Sequence, residues 1–165
     1  MSKINFSDFL NLSKEEKYKA ILPQISSLIE GEKNLIANLA NVVSALKYTF
    51  KYFLWVGFYF VDPINKLEMV VGPYQGKVAC TRLRVGKGVC GTVVEKKETI
   101  LVDDVNSFSG HVLCDADSKS EIVIPVIKNG EVIAVLDVDS DSFGAFDNTD
   151  KKYLEEIISK IKNIF

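Results

Sequence analysis

A chain of 165 residues, 47% hydrophobic and 25% charged, has the length of one domain and the composition of a protein with an ordinary packed core. Its formal net charge is −2 and it has no basic cluster to neutralise phosphates, which argues against a nucleic-acid partner. No apolar run reaches the roughly 18–20 residues of a bilayer span, and Met1 to Asp8 lack a secretory signal, so the expectation is a cytoplasmic protein with no membrane partner.

Ser13-Lys-Glu-Glu16 fits a capping box, a hydroxyl at the N-cap with Glu three residues on. Tyr18, Ile21, Leu22, Ile25, Leu28 and Ile29 follow at helical spacing, with Pro23 expected to kink or divide the helix and Gly31 to stop it. A second helix is predicted over about 33–50, with Leu35, Ile36, Leu39, Val42, Val43 and Leu46 along one side. Such a pair packs on a sheet or on a partner chain, so a homodimer through these helices is one reading.

The period then changes. Tyr52 to Val61 is rich in aromatic and β-branched residues and ends at Asp62-Pro63, and Leu67–Val71 reads as the returning strand. Val78–Val85 reads as a third strand containing Cys80. Gly86-Lys-Gly-Val-Cys-Gly91 predicts a tight turn with bare backbone N–H groups, and Thr92–Lys97 a short helix that puts Cys90 near its N-terminus. Thr99–Val102 is a short strand, and 103–118 a long polar loop of the kind that carries function. Asn129-Gly130 marks a two-residue turn between strands at Glu121–Ile127 and Val132–Asp139. Asn148 to Phe165 closes the chain as an amphipathic helix.

Residues 1–165 thus form a single domain: N-terminal helices over 1–50, sheet and loops over 52–139, and a C-terminal helix over 147–165. The class is α+β, a central antiparallel sheet of five or six strands with helices packed on one face.

The chemistry concentrates between Cys80 and Asp139, which holds all three cysteines and the sole histidine, His111. On the last strand Val135, Asp137 and Asp139 share one face, while Ala134, Leu136 and Val138 share the other. Paired carboxylates face water, a cation or a ligand ammonium. In a reducing compartment the cysteines are not a structural disulfide framework. Cys80 fits a small core residue, whereas Cys90, near a helix N-terminus, is expected to have its thiolate favoured. A zinc site of Cys80, Cys90, Cys114 and His111 has suitable ligand types without the usual Cys-x-x-Cys spacing, so no metal is expected. His111 reads as a loop residue rather than a catalytic base. Thiol redox chemistry, with one sulfur attacking and another resolving, suits this set best.

Three segments are more specific. Arg84-Val-Gly-Lys-Gly-Val-Cys-Gly-Thr92, Gly110-His-Val-Leu-Cys-Asp-Ala-Asp-Ser-Lys-Ser-Glu-Ile-Val-Ile-Pro125 and Val135-Leu-Asp-Val-Asp-Ser140 together resemble the free methionine-(R)-sulfoxide reductases, a family built on the GAF domain. The resemblance runs from about Trp55 to the final helix. It implies a GAF-like fold and an enzyme that needs no cofactor. Cys114 would be the attacking cysteine, Cys90 the resolving one, Cys80 a second relay, and thioredoxin the reductant. Glu121, Asp137 and Asp139 would bind free methionine-(R)-sulfoxide and help to protonate its oxygen. Trp55 and Tyr59, four apart on one strand, could form an apolar slot for the S-methyl group. The competing reading is a stand-alone GAF module that senses a small molecule or redox state.

Overall fold

A computed structural model describes residues 9, 11–110 and 114–165. Six antiparallel strands, β1 (Trp55–Val61), β2 (Glu68–Gln75), β3 (Arg82–Arg84), β4 (Ile100–Val102), β5 (Ser120–Lys128) and β6 (Glu131–Ser140), form one sheet in the order β3-β2-β1-β6-β5-β4. The helices are α1 (Lys14–Ile29), α2 (Leu35–Thr49), α3 (Gly88–Lys96) and α4 (Asn148–Ile161). The fold is α+β, as the alternating elements predict.

Period-two alternation divides every central strand between two cores. Val56, Phe58, Ile122, Ile124, Val126, Ala134, Leu136 and Val138 face α1, α2 and α4 and form the larger apolar core with them. Trp55, Tyr59, Val123 and Val135 face the other way, toward Val89, Cys90 and Val93 of α3. The three long helices therefore share one face, as expected. The short α3 takes the opposite face, where a pocket opens between it and the sheet.

Local sequence accounts for most boundaries. Ser13 and Glu16 make the capping box that starts α1, and Asp147 and Asp150 make another that starts α4. Asn129 and Gly130, with φ of 53° and 80°, form the two-residue turn joining β5 to β6. Pro23 does not divide α1, which continues from Lys14 to Ile29. Burial of Tyr18, Ile21, Leu22 and Ile25 on both sides of the proline outweighs the missing amide donor. Most of the apolar residues of α1 and α2 pack against this chain's own sheet, while Ile36 of the α2 stripe is 56% exposed.

The third expected strand shrinks to Arg82–Arg84, so Cys80 lies outside the ladder. Residues 76–81 instead run across the sheet as an irregular segment that leaves Val78 almost wholly exposed. Two aromatic side chains fix its course. The Trp55 indole N–H donates to the carbonyl of Lys77 (3.2 Å) and the Tyr59 hydroxyl to that of Cys80 (3.1 Å).

At the α1–α4 junction, Asp150 is fully buried and accepts from the Tyr18 hydroxyl (2.8 Å), the Tyr52 hydroxyl (2.6 Å), Lys14 Nζ (2.5 Å) and the Asp147 amide (2.9 Å). This polar knot ties the first helix to the last.

Candidate active site

Strand register assembles the pocket floor. Asp139 of β6 lies between Trp55 of β1 and Glu121 of β5, and Asp137 lies between Gly57 and Val123. Because residues two apart share a face, Asp137, Asp139, Glu121, Trp55 and Tyr59 all project toward α3. The expected common face of Asp137 and Asp139 is therefore observed, though under the 76–81 segment rather than at a solvated strand end. Ser118, Cys90 and Cys114 join them around a space of about 600 Å³ counted out to its open mouth.

Gly57 is required where it stands. A Cβ there would lie 2.3 Å from Tyr74 Cβ and 2.5 Å from the Trp55 ring, which stacks on Tyr74 and Tyr59 with centroids 5.2 and 5.8 Å apart. The three rings form one apolar wall. Gly91 serves α3 in the same way, since a Cβ would meet the Arg84 carbonyl at 2.2 Å. The close approach brings the first turn of α3, with Cys90, down onto the floor.

The floor acids are depleted of compensating charge. Glu121 and Asp137 are only 6% and 7% exposed, and burial, then the charges of the other floor carboxyls, pushes both carboxyls well above their usual range. Asp139 is pushed up to about 6 by burial, opposed by a 2.5 Å hydrogen bond from the Ser118 hydroxyl. Near neutral pH, Glu121 and Asp137 can hold protons and act as acids. Asp137 Oδ1 is buried and has no hydrogen-bond partner among the described residues.

Cys90 behaves differently from the sequence expectation. It is buried, its Sγ lies 3.9 Å from Glu121 Oε1, and burial, then the charges of Asp137 and Glu121, pushes its thiol up. Desolvation among carboxyls overrides the helix N-terminus, so the thiolate is disfavoured. The glycine turn before it is also less bare than expected: the amides of Gly86, Lys87 and Gly88 donate to the carbonyls of Gly91, Arg84 and Gly110.

A disulfide joins Cys80 to Cys114, 34 residues apart, at the pocket mouth, with Cys114 exposed and Cys80 half-buried. The partner of Cys114 is thus Cys80 and not Cys90, which points into the floor. His111 lies outside the described residues. With Cys80 and Cys114 bonded to each other, the zinc set considered from the sequence is not assembled. Among the described residues Cys90, Glu121 and Asp137 have donor atoms within 4.8 Å of one another, the spacing of a metal cluster. Their elevated proton affinities and the aromatic wall suit an organic ligand with polar ends equally well.

Sequence reasoning missed the polar lining residues Lys87, Asp115 and Ser118. Asp115 follows Cys114 directly, and an acidic residue beside a reactive cysteine was the available signal. The role of Ser118 depends on Asp139 lying across from it, which only the register of β5 and β6 reveals.

Among the described residues no helix is long and apolar enough to cross a membrane. A GAF-domain family model matches residues 35–165. The chain is 54% identical to GAF domain-containing protein A of Dictyostelium discoideum over 92% of its length and 94% of that protein. It is 40% identical to the free methionine-R-sulfoxide reductase of Saccharomyces cerevisiae over 96% of its length and 89% of that protein. The substrate complex of the free methionine-R-sulfoxide reductase from Neisseria meningitidis superposes with a TM-score of 0.94 at 41% identity, covering 100% of this chain and 96% of that one.

Proposed function

The chain belongs to the GAF-domain family, and from that membership and the pocket geometry we propose that it reduces free methionine-(R)-sulfoxide to methionine. One observation carries the reading: an exposed cysteine, Cys114, already bonded to Cys80, at the mouth of a pocket with an aromatic wall and a proton-holding floor.

In the reduced chain the Cys114 thiolate attacks the sulfoxide sulfur. The attack forms a sulfur–sulfur bond, the protonated oxygen passes from the substrate sulfur to that of Cys114 as the substrate's sulfur–oxygen bond breaks, and the sulfur–sulfur bond then cleaves, so that methionine leaves and Cys114 becomes a sulfenic acid; the sulfur of the substrate is reduced and that of Cys114 oxidised. The oxygen needs a proton as it gains charge, and Glu121, Asp137 or Asp139 can supply one because burial keeps them protonated at higher pH than ordinary carboxyls. The Cys80 thiol then displaces water from the sulfenic acid and forms the Cys80–Cys114 disulfide. A dithiol reductant such as thioredoxin restores both thiols, and its approach is favoured by the exposure of Cys114 and of neighbouring Val78.

Trp55 and Tyr59 form the wall that receives the S-methyl group. Lys87 and the first turn of α3, which line the same pocket, offer positive charge for the substrate carboxylate. Cys90 contributes a neutral thiol to the floor and takes no part in the disulfide.

The deciding experiment is methionine release from free methionine-(R)-sulfoxide with dithiothreitol, using the (S) epimer as control. Turnover of the (R) epimer alone is expected; no turnover by folded, reduced protein would leave a GAF sensor. Cys114→Ser should be inactive. Cys80→Ser should release one methionine per chain and then stall as a sulfenic acid, whereas Cys90→Ser should keep cycling.

A further inference from the structure

Cys90 is the cysteine that the proposed reduction leaves unused, and it lines the floor of the pocket. Its Sγ is 3.9 Å from Glu121 Oε1, and donor atoms of Cys90, Glu121 and Asp137 all lie within 4.8 Å of one another. The three side chains come from α3, β5 and β6 and are buried, at 4%, 6% and 7% exposure. A second observation points to a ligand. Asp137 Oδ1 is buried in the lining of this pocket and has no hydrogen-bond partner among the described residues. None of the ion pairs among the described residues includes Glu121 or Asp137. A buried carboxylate oxygen left without a partner is costly, and an ion or ligand that takes it relieves the cost.

The donor set states the class of ion. One thiolate with two carboxylates suits zinc or a similar first-row divalent cation. It does not suit calcium or magnesium, which take oxygen ligands alone and more of them. A tetrahedral zinc with sulfur at about 2.3 Å and oxygen at about 2.1 Å holds those donors about 3.6 Å apart. The observed 3.9 Å between sulfur and carboxylate therefore needs only a small side-chain adjustment.

We propose that Cys90, Glu121 and Asp137 form a binding site for a zinc-class divalent cation, independent of the Cys80–Cys114 disulfide. Binding forms one metal–sulfur and two metal–oxygen bonds, and the thiol proton, with any on the two carboxyls, passes to solvent. Three protein donors leave the ion a position for water on the pocket side, so it exchanges with solution. Of the zinc set considered from the sequence, only Cys90 takes part. An ion seated here and an organic ligand bound to the same carboxyls exclude each other.

The oxidised chain isolates the site, because with Cys80 and Cys114 bonded to each other Cys90 is the one free thiol of three. Cobalt(II) added to that form should bind one ion per chain with a thiolate-to-cobalt charge-transfer band, which zinc then abolishes. Cys90→Ser should lose the band. It should also lose at least about 100-fold in zinc affinity, measured against a chromophoric chelator, since a direct donor is worth more than a group that supports one. Asp137→Asn, with its fold checked by circular dichroism, should weaken zinc by at least about 10-fold, and magnesium should not compete. No cobalt binding, cobalt bound without the band, zinc affinity unchanged in either variant, or equal binding of magnesium would each overturn the site. None of these readouts uses turnover, so a failure of the reduction leaves the test intact.

Discussion

Asp150 and Asp137 are both buried aspartates of one small domain, and they are finished in opposite ways. Asp150 accepts from four donors drawn from α1, α4 and the segment before β1, and nothing about it awaits a ligand. Among the described residues Asp137 has an unpartnered oxygen, two carboxyl neighbours and a thiol, and no cation in contact with it. A buried charge that is fully paired is architecture. One left open beside the Cys80–Cys114 disulfide is held in a costly state by the fold around it, a state that substrate would relieve under the proposed function.

Breaking the complete site should give the larger stability effect. Asp150→Ala strands Lys14 and two hydroxyls, and a loss of about 3–5 kcal/mol in denaturant unfolding is expected, with kcat/KM per folded chain little changed. Breaking the open site should do the reverse. Asp137→Asn should lower kcat/KM by about 10–100-fold while leaving stability at pH 7 unchanged or about 1 kcal/mol higher, since an unfavourable buried acid is removed. A matching stability loss in that variant would show the carboxyl to be structural.

Titration sharpens the contrast. Asp139, with a folded value of about 6 against 3.8 for an ordinary Asp, binds its proton more tightly in the folded chain, as do Glu121 and Asp137. The stability they contribute is fully present below about pH 4 and is lost as pH rises through the folded values. Unfolding free energy should thus fall by about 2 kcal/mol from Asp139 alone between pH 4 and 7, at about 1.4 kcal/mol per unit. Asp139→Asn should flatten that slope. Smallest of all, Tyr52→Phe should cost about 1 kcal/mol, because Asp150 keeps three of its four donors.

Much of this was legible in the sequence. Alternation alone puts Asp137 with Asp139 and Trp55 with Tyr59 on common faces, and the strands keep that order. Glu121 joins them through its pairing with Asp139, a relation between strands that periodicity within one strand does not carry. The neighbourhood of Cys80 and Cys114 is a contact across 34 residues, and it came from neither spacing nor pattern. Cys90 misled because position in a helix can be read from sequence whereas depth cannot, and depth decides its thiol. Pro23 does not divide its helix because tertiary burial outweighs a local preference.

The Cys80–Cys114 bond also makes oxidation state a mechanical property of the domain. It closes a loop of 34 residues, which restricts the unfolded chain by about 3–4 kcal/mol. Under the proposed cycle, a population short of reductant comes to rest in its most heat-resistant form, with its reactive sulfur capped. A population well supplied with reductant works in the looser one. Durability and readiness would then alternate within each turnover, and the melting temperature of a sample would report how recently its thiols were renewed.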